Sequence, residues 1–176
     1  MPAKAGIHEK PNGTARGLSW IPAFAGMTLL VFLCISSSAQ TGTCYSEKET
    51  EAEHGLRLHS DLEVITLTCR YSTTGVPLQK LYRGFVHRNA NMIHGWENTI
   101  ARAYADEGGS RNSSIDSVRT WLANQKGNES ASMGPRSFCK QWADFVPYAA
   151  KLTPPQLLGY VRQEDPARPT KKPPCG

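Results

Sequence analysis

Beyond Ala39 the chain carries four cysteines, Cys44, Cys69, Cys139 and Cys175, and their placement constrains the fold more than any other feature. In an exported chain an even number of cysteines reads as a set of disulfide pairs, with three connectivities open. In a cytosolic chain the same residues would read as buried thiols. Metal binding is the weakest reading, because no Cys-x-x-Cys or close Cys/His spacing occurs. The compartment therefore decides what the cysteines do.

Met27 to Ala39 carries the compartment signal. Leu29 to Ile35 form a short apolar run, and Ser37 and Ala39 are small residues at the −3 and −1 positions of a cleavage site. That is the pattern of a signal peptide. A retained anchor from Trp20 to Ala39 is the competing reading, weakened by Pro22, Gly26 and the Ser-Ser-Ser-Ala end, since a span needs about 20 predominantly apolar residues. Residues 1–39 are thus expected to be a signal peptide with an upstream extension, residues 40–163 a helical domain, and residues 164–176 a Pro/Lys-rich tail. No stable membrane span is expected after processing, and the protein is placed in the periplasm or outside the cell.

Beyond residue 39 the chain holds 17 basic and 14 acidic residues, a mild excess with the charges interspersed. A dedicated nucleic-acid binder shows a clustered basic face. Arg83, Arg88, Arg102, Arg111 and Arg119, with Tyr82 and Phe85 near two of them, offer interleaved cations and rings, the ingredients of single-strand binding. An exported chain rarely meets that ligand, so these read as a solvated face and no nucleic-acid partner is expected.

The apolar spacing is helical throughout. Leu58, Leu62, Ile65 and Cys69 share one face of a helix running from about Glu47 to Cys69. Ser46 with Glu49 three residues later makes a capping box, and acidic residues crowd the first turns, where the helix dipole favours them. A long second helix starts near Pro77 and recurs through Leu78, Leu81, Tyr82, Phe85, Met92, Trp96, Ile100 and Tyr104 to a stop at Gly108-Gly109. A third, from about Ser114 to Lys126, is closed by Gly127. A fourth spans about Pro135 to Lys151, with Pro147 expected to kink or end it. Leu157, Leu158 and Val161, after Thr153-Pro154, supply a small fifth. Strand-like alternation is missing. The fold class is therefore all-α, a small antiparallel bundle of four to five helices stapled by disulfides. Asp165 to Gly176 has no core-forming residues and reads as extended or disordered, tied down only where Cys175 bonds.

Topology narrows the connectivity. A continuous first helix separates Cys44 from Cys69 by about 33 Å at 1.5 Å per residue, whereas a disulfide needs Cα atoms within about 7 Å. The short turn after Tyr71 makes the second helix antiparallel to the first. The third climbs back, so the fourth starts beside Cys69. Cys69 then pairs with Cys139, and the tail carries Cys175 to Cys44. The tail bridge is expected to matter less, because little core depends on it.

A search for chemistry finds no Gly-x-Ser-x-Gly turn, phosphate loop or His-Glu-x-x-His. His87 and His94 lie on one side of the second helix but about 10 Å apart along its axis, too far to share a metal directly. They read, with His54 and His59, as surface or boundary residues. Glu97 could serve as a lone carboxylate beside Trp96 and Tyr104. A glycosidase wants a second carboxyl group, for which Asp106, Glu107 and Asp116 are candidates. Trp96 sits in the apolar stripe and reads as core. No catalytic residue, metal site or cofactor is assigned.

Two resemblances add to this. Pro2 to His8 and Trp20 to Thr28 resemble translated copies of a dispersed bacterial genome repeat, which implies a true start at or near Met27. Cys44-Tyr-Ser-Glu-Lys-Glu through Leu67-Thr-Cys69-Arg, with Phe85-Val86, Trp121-Leu-Ala-Asn124 and Phe138-Cys139, resembles a group of small exported proteins of proteobacteria whose first helix is bracketed by two cysteines. The resemblance covers about residues 44–140 and implies compartment and fold; it transfers no site. The expected function is that of a non-catalytic binding or structural protein whose partner is an envelope protein or cell-wall component. The alternative is a small hydrolase acting on cell-wall glycan.

Export predicts a mature N-terminus at or near Gln40, to be read by N-terminal sequencing of the native protein. A membrane fraction whose protein still contains Trp20 would instead mean a retained anchor.

Overall fold

The computed structural model describes residues 44–71, 75–163 and 168–176. The export segment and the repeat-like stretch lie outside the described residues. Among these residues seven segments are helical: α1 (Glu47–Thr68), α2 (Leu78–Arg88), α3 (Ala90–Ala105), α4 (Arg111–Met133), α5 (Pro135–Trp142), α6 (Phe145–Ala149) and α7 (Pro154–Val161). No helix among the described residues is long and apolar enough to cross a membrane.

α1 is the axis of the bundle and packs against each of the other six helices, with α3 and α4 as its main neighbours. Its start is fixed as the spacing predicts: Glu49 Oε2 accepts from both the Ser46 amide (2.7 Å) and the Ser46 hydroxyl (2.9 Å). Its burial is not that of a one-faced helix. From Ala52 to Leu62 every residue but His54 is buried, Glu53, Arg57, His59, Ser60 and Asp61 included. Leu58, Leu62, Ile65 and Cys69 do lie in the core, yet they are only one side of a helix covered all round. Gly55 permits the closest approach: a Cβ there would stand 2.3 Å from Cδ2 of Trp96. Trp96, 5 % exposed, is therefore a core residue packed onto a glycine.

The long second helix is two. Asn89 interrupts it with φ −107° and ψ 14°, and its buried side-chain amide donates to the Phe85 carbonyl at 2.9 Å. This is the local competition with the helical ladder that asparagine offers. The break re-registers the inner face, so that Leu78 and Phe85 are followed by Ile93, Trp96 and Ile100, and Met92 is only half-buried. Gly108-Gly109 does end α3. Gly108 adopts φ +82°, and the Gly109 amide returns to the Tyr104 carbonyl at 2.9 Å, a closure suited to glycine.

The third expected helix is longer than its apolar spacing suggested. α4 runs through Gly127 to Met133 because its buried positions, Ser114, Val118, Leu122, Lys126 and Ser130, recur every four residues and turn polar at both ends. Gly134, with φ +77°, is the actual stop, and Pro135 opens α5. α5 and α6 divide the expected fourth helix just before Pro147, and α7 begins with a second capping box, Thr153 with Gln156.

The sulfurs of Cys69 and Cys139 lie 2.05 Å apart with Cα atoms at 5.4 Å, and those of Cys44 and Cys175 lie 1.99 Å apart with Cα atoms at 5.1 Å. These are the two pairs that the topology argument selects. They span 70 and 131 residues, for which loop-closure entropy gives about 4 and about 5 kcal/mol. The smaller weight expected for the tail bridge does not survive the structure. Residues 168–176 fold back along α1, where the Tyr45 amide donates to the Pro173 carbonyl and the Cys175 amide to the Tyr45 carbonyl, both at 2.8 Å. Tyr45, 1 % exposed, belongs to the core that this tail covers.

The Gly55–Trp96 approach generates a sharp expectation. Gly55→Ala places a methyl group inside the indole, and overpacking of this kind costs about 1–3 kcal/mol. Chemical denaturation should show the midpoint falling with the slope unchanged; an unaffected midpoint would mean that Trp96 is not seated on Gly55.

Candidate functional site

Among the described residues the densest set of polar contacts lies on one side of α1. Glu53, Arg57 and Asp61 are four residues apart, so the helix stacks them in a row, and they are 0 %, 5 % and 4 % exposed. Arg57 Nη2 is 3.0 Å from Glu53 Oε1, and its Nη1 donates to Gln125 Oε1 of α4 at 2.5 Å. The guanidinium also sits over the Trp121 ring, 5.3 Å from its centroid. Burial and the nearby Arg168 pull the Arg57 pKa below its usual value, while Glu53 opposes them.

The tail completes this row. Arg168 makes a two-pronged pair with Asp61 at 2.6 and 2.9 Å. The Pro169 carbonyl accepts from Arg57 Nη2 at 3.0 Å. The Lys171 amide donates to both Glu53 oxygens at 2.9 and 3.1 Å. Lys171 Nζ reaches Ser117 Oγ at 3.0 Å. Lys172 Nζ pairs with Glu107 and lies 4.1 Å from the Tyr104 ring centroid. Tyr104 and Tyr45 share a hydroxyl–hydroxyl bond of 3.1 Å, and burial raises the Tyr45 pKa. The arrangement recognises an extended segment through its backbone and through two of its cations. Both carboxylates of the row, Glu53 and Asp61, are already acceptors.

A second cluster lies between α1, α2, α3 and α4. His59 Nε2 is 3.1 Å from the Tyr82 hydroxyl, and the two rings are stacked. Glu97 lies further along α3, where its Oε2 meets His94 Nδ1 and its Oε1 meets Arg119 Nη2, both at 3.0 Å. Both oxygens of this carboxylate are thus engaged by neighbouring nitrogens. Glu97 and Asp116 nevertheless border one open cleft of about 320 Å³, so the pair considered from sequence shares a surface. Asp106 and Glu107 lie at the end of α3 instead, Glu107 engaged by Lys172.

The remaining candidates are dispersed. His87 and His94 are exposed, and His54 is half-buried with Nδ1 at 2.9 Å from the Val161 carbonyl. Among the described residues no three His, Cys, Asp or Glu side chains are placed to hold a metal. Arg88, Arg102 and Arg119 each engage a different local partner, the Ala150 carbonyl, the Asn98 carbonyl and Glu97. Lys126, which the spacing marks only as the end of the third helix, has a role of its own. It is 1 % exposed, with Nζ 2.9 Å from Glu129 and 3.2 Å from the Trp142 ring centroid, while Trp142 Nε1 donates to Glu129 Oε1 at 2.7 Å. Burial lowers its pKa. The Trp/Glu/Lys spacing alone carries no signal for such a box.

Comparison with family models, with curated proteins and with solved structures finds no match to this chain.

The buried His59 sets a pH dependence. Burial first, and Arg119 second, lower its pKa below 6.5 in the folded chain. The unfolded chain therefore binds more protons just below that value, so stability falls as the pH drops through and below about 6.5. His59→Gln should flatten the dependence of the denaturation midpoint between about pH 7 and pH 5, relative to the parent. An identical slope in both proteins would assign the loss to other groups.

Proposed function

We propose that this chain is an exported, non-catalytic protein of the cell envelope that acts by binding a partner. The observation that carries the reading is the α1 row Glu53–Arg57–Asp61, which holds an extended, cation-bearing segment through backbone and side chain together. A surface of that kind is suited to recognition. Two cysteine pairs at disulfide distance support the oxidising compartment that the leader suggests. One observation favours the hydrolase alternative: Glu97 and Asp116 border the same cleft.

Isolated cell walls separate the two. Incubated with the purified protein across varied pH and divalent metals, they should release no muropeptides above a no-protein control. Release that Glu97→Gln returns to the control level would overturn the binding reading and establish the carboxylate as a general acid.

A further inference from the structure

We propose that the groove of α1 formed by Glu53, Arg57 and Asp61, together with Tyr104 and Glu107, is a binding site for an extended basic segment of a partner protein. In the oxidised chain residues 168–176 occupy it, and reduction of the Cys44–Cys175 bridge opens it. The inference rests on the binding reading above and names the class of partner.

The occupant on the page defines the ligand. Its recognised pattern is Arg-Pro-x-Lys-Lys, Arg168 to Lys172. The groove answers it with three carboxylates: Asp61 takes Arg168, Glu107 takes the Lys172 ammonium and Glu53 takes the Lys171 amide. Arg57 reads the Pro169 carbonyl, a contact any residue at that position can make. Tyr45 then exchanges two backbone bonds with Pro173 and Cys175, which is strand addition on the smallest scale. Backbone contacts set an extended conformation, and the carboxylates select cations. No contact in this set requires the segment to be covalently continuous with α7.

The two bridges differ in access. Cys175 is exposed and Cys44 half-buried, whereas in the other bridge Cys139 is half-buried and Cys69 only 1 % exposed, so neither of its cysteines is as open as Cys175. A dithiol reductant therefore reaches the tail bridge first. One thiolate of the dithiol attacks the Cys175 sulfur and Cys44 leaves as a thiolate. The second thiol of the dithiol then displaces Cys175, so the protein gains two thiols and the reductant departs as a disulfide. The released tail is still tethered, competing at an effective concentration of about millimolar rather than being locked in place. A partner segment with the same pattern can then displace it.

Disulfide capture tests this on the full chain. The probe is a synthetic peptide of residues 168–176 whose Cys175 carries an activated pyridyl disulfide, and the target is the Cys175→Ser chain, which leaves Cys44 free. Peptide mapping by mass spectrometry should place the adduct at Cys44. Its rate should saturate with peptide concentration and exceed that of an Arg168→Glu, Lys172→Glu peptide by at least about tenfold, the gain docking gives through effective concentration. The oxidised parent chain should form no adduct at Cys44. Equal rates for the two peptides would overturn the proposal. So would loss of the helical circular-dichroism signal in Cys175→Ser, since the groove must outlast its bridge. The dithiol-treated parent should elute as a monomer; a tail-exchanged dimer would assign the groove to a second copy and overturn the partner assignment. None of these outcomes bears on muropeptide release, which tests the binding reading by itself.

Discussion

The contact on which most of this structure depends is the buried pair of Glu53 and Arg57 on α1, 3.0 Å apart and nearly free of solvent. Removing two charges from water costs several kcal/mol per ion, and their attraction offsets that only when the remaining hydrogen-bonding capacity is satisfied. Here most of that capacity is met from far along the chain, by Gln125 from α4 and by the Pro169 carbonyl and the Lys171 amide from the tail, while Arg57 Nε stays buried without a partner. The tail is thus a structural member in spite of its composition. Its prolines keep it extended without asking for backbone partners, which leaves its few amides and carbonyls to be spent on α1.

A helix with charge on one side and leucine on the other must be wrapped rather than faced, and the rest of the fold follows from wrapping it. Gly55 lets Trp96 lie flat against the backbone of α1, so α3 approaches closely on the apolar side. The Asn89 break turns the inner faces of α2 and α3 separately toward the same curved surface. α4 lies on the polar side, where its own stripe ends in Lys126 and Ser130 rather than in leucine. The Cys69–Cys139 bridge then joins the end of α1 to α5, closing the ring opposite the end that the tail closes.

What could be read in advance follows from what periodicity measures. Apolar spacing registers helices, so α1 and α7 were legible with their caps, as was the Gly108-Gly109 stop, whereas the Asn89 break that separates α2 from α3 was not. Polar burial is invisible to that measure. Glu53, Arg57 and Asp61 look like the solvated side of an amphipathic helix until a second segment covers them. Gly127 looked like a terminator because the residues beyond it, Ser130 among them, carried no apolar signal. The cysteine geometry was legible because a rigid helix forbids one pairing outright. The role of the tail was not, since a proline-rich stretch without core residues ordinarily has nothing to bury. The Glu97 cleft was half legible: the carboxylate could be found, its engagement by His94 and Arg119 could not.

The Cys44–Cys175 bridge has one further consequence, a mechanical one. It joins Cys44, three residues ahead of α1, to Cys175 at a sequence separation of 131. Tension applied between any segment preceding Cys44 and Gly176 is borne by a single covalent bond and never reaches the helices. While the bridge stands, the whole bundle hangs beside the line of force, like a loop of rope behind a knot, and pulling on its ends cannot unravel it.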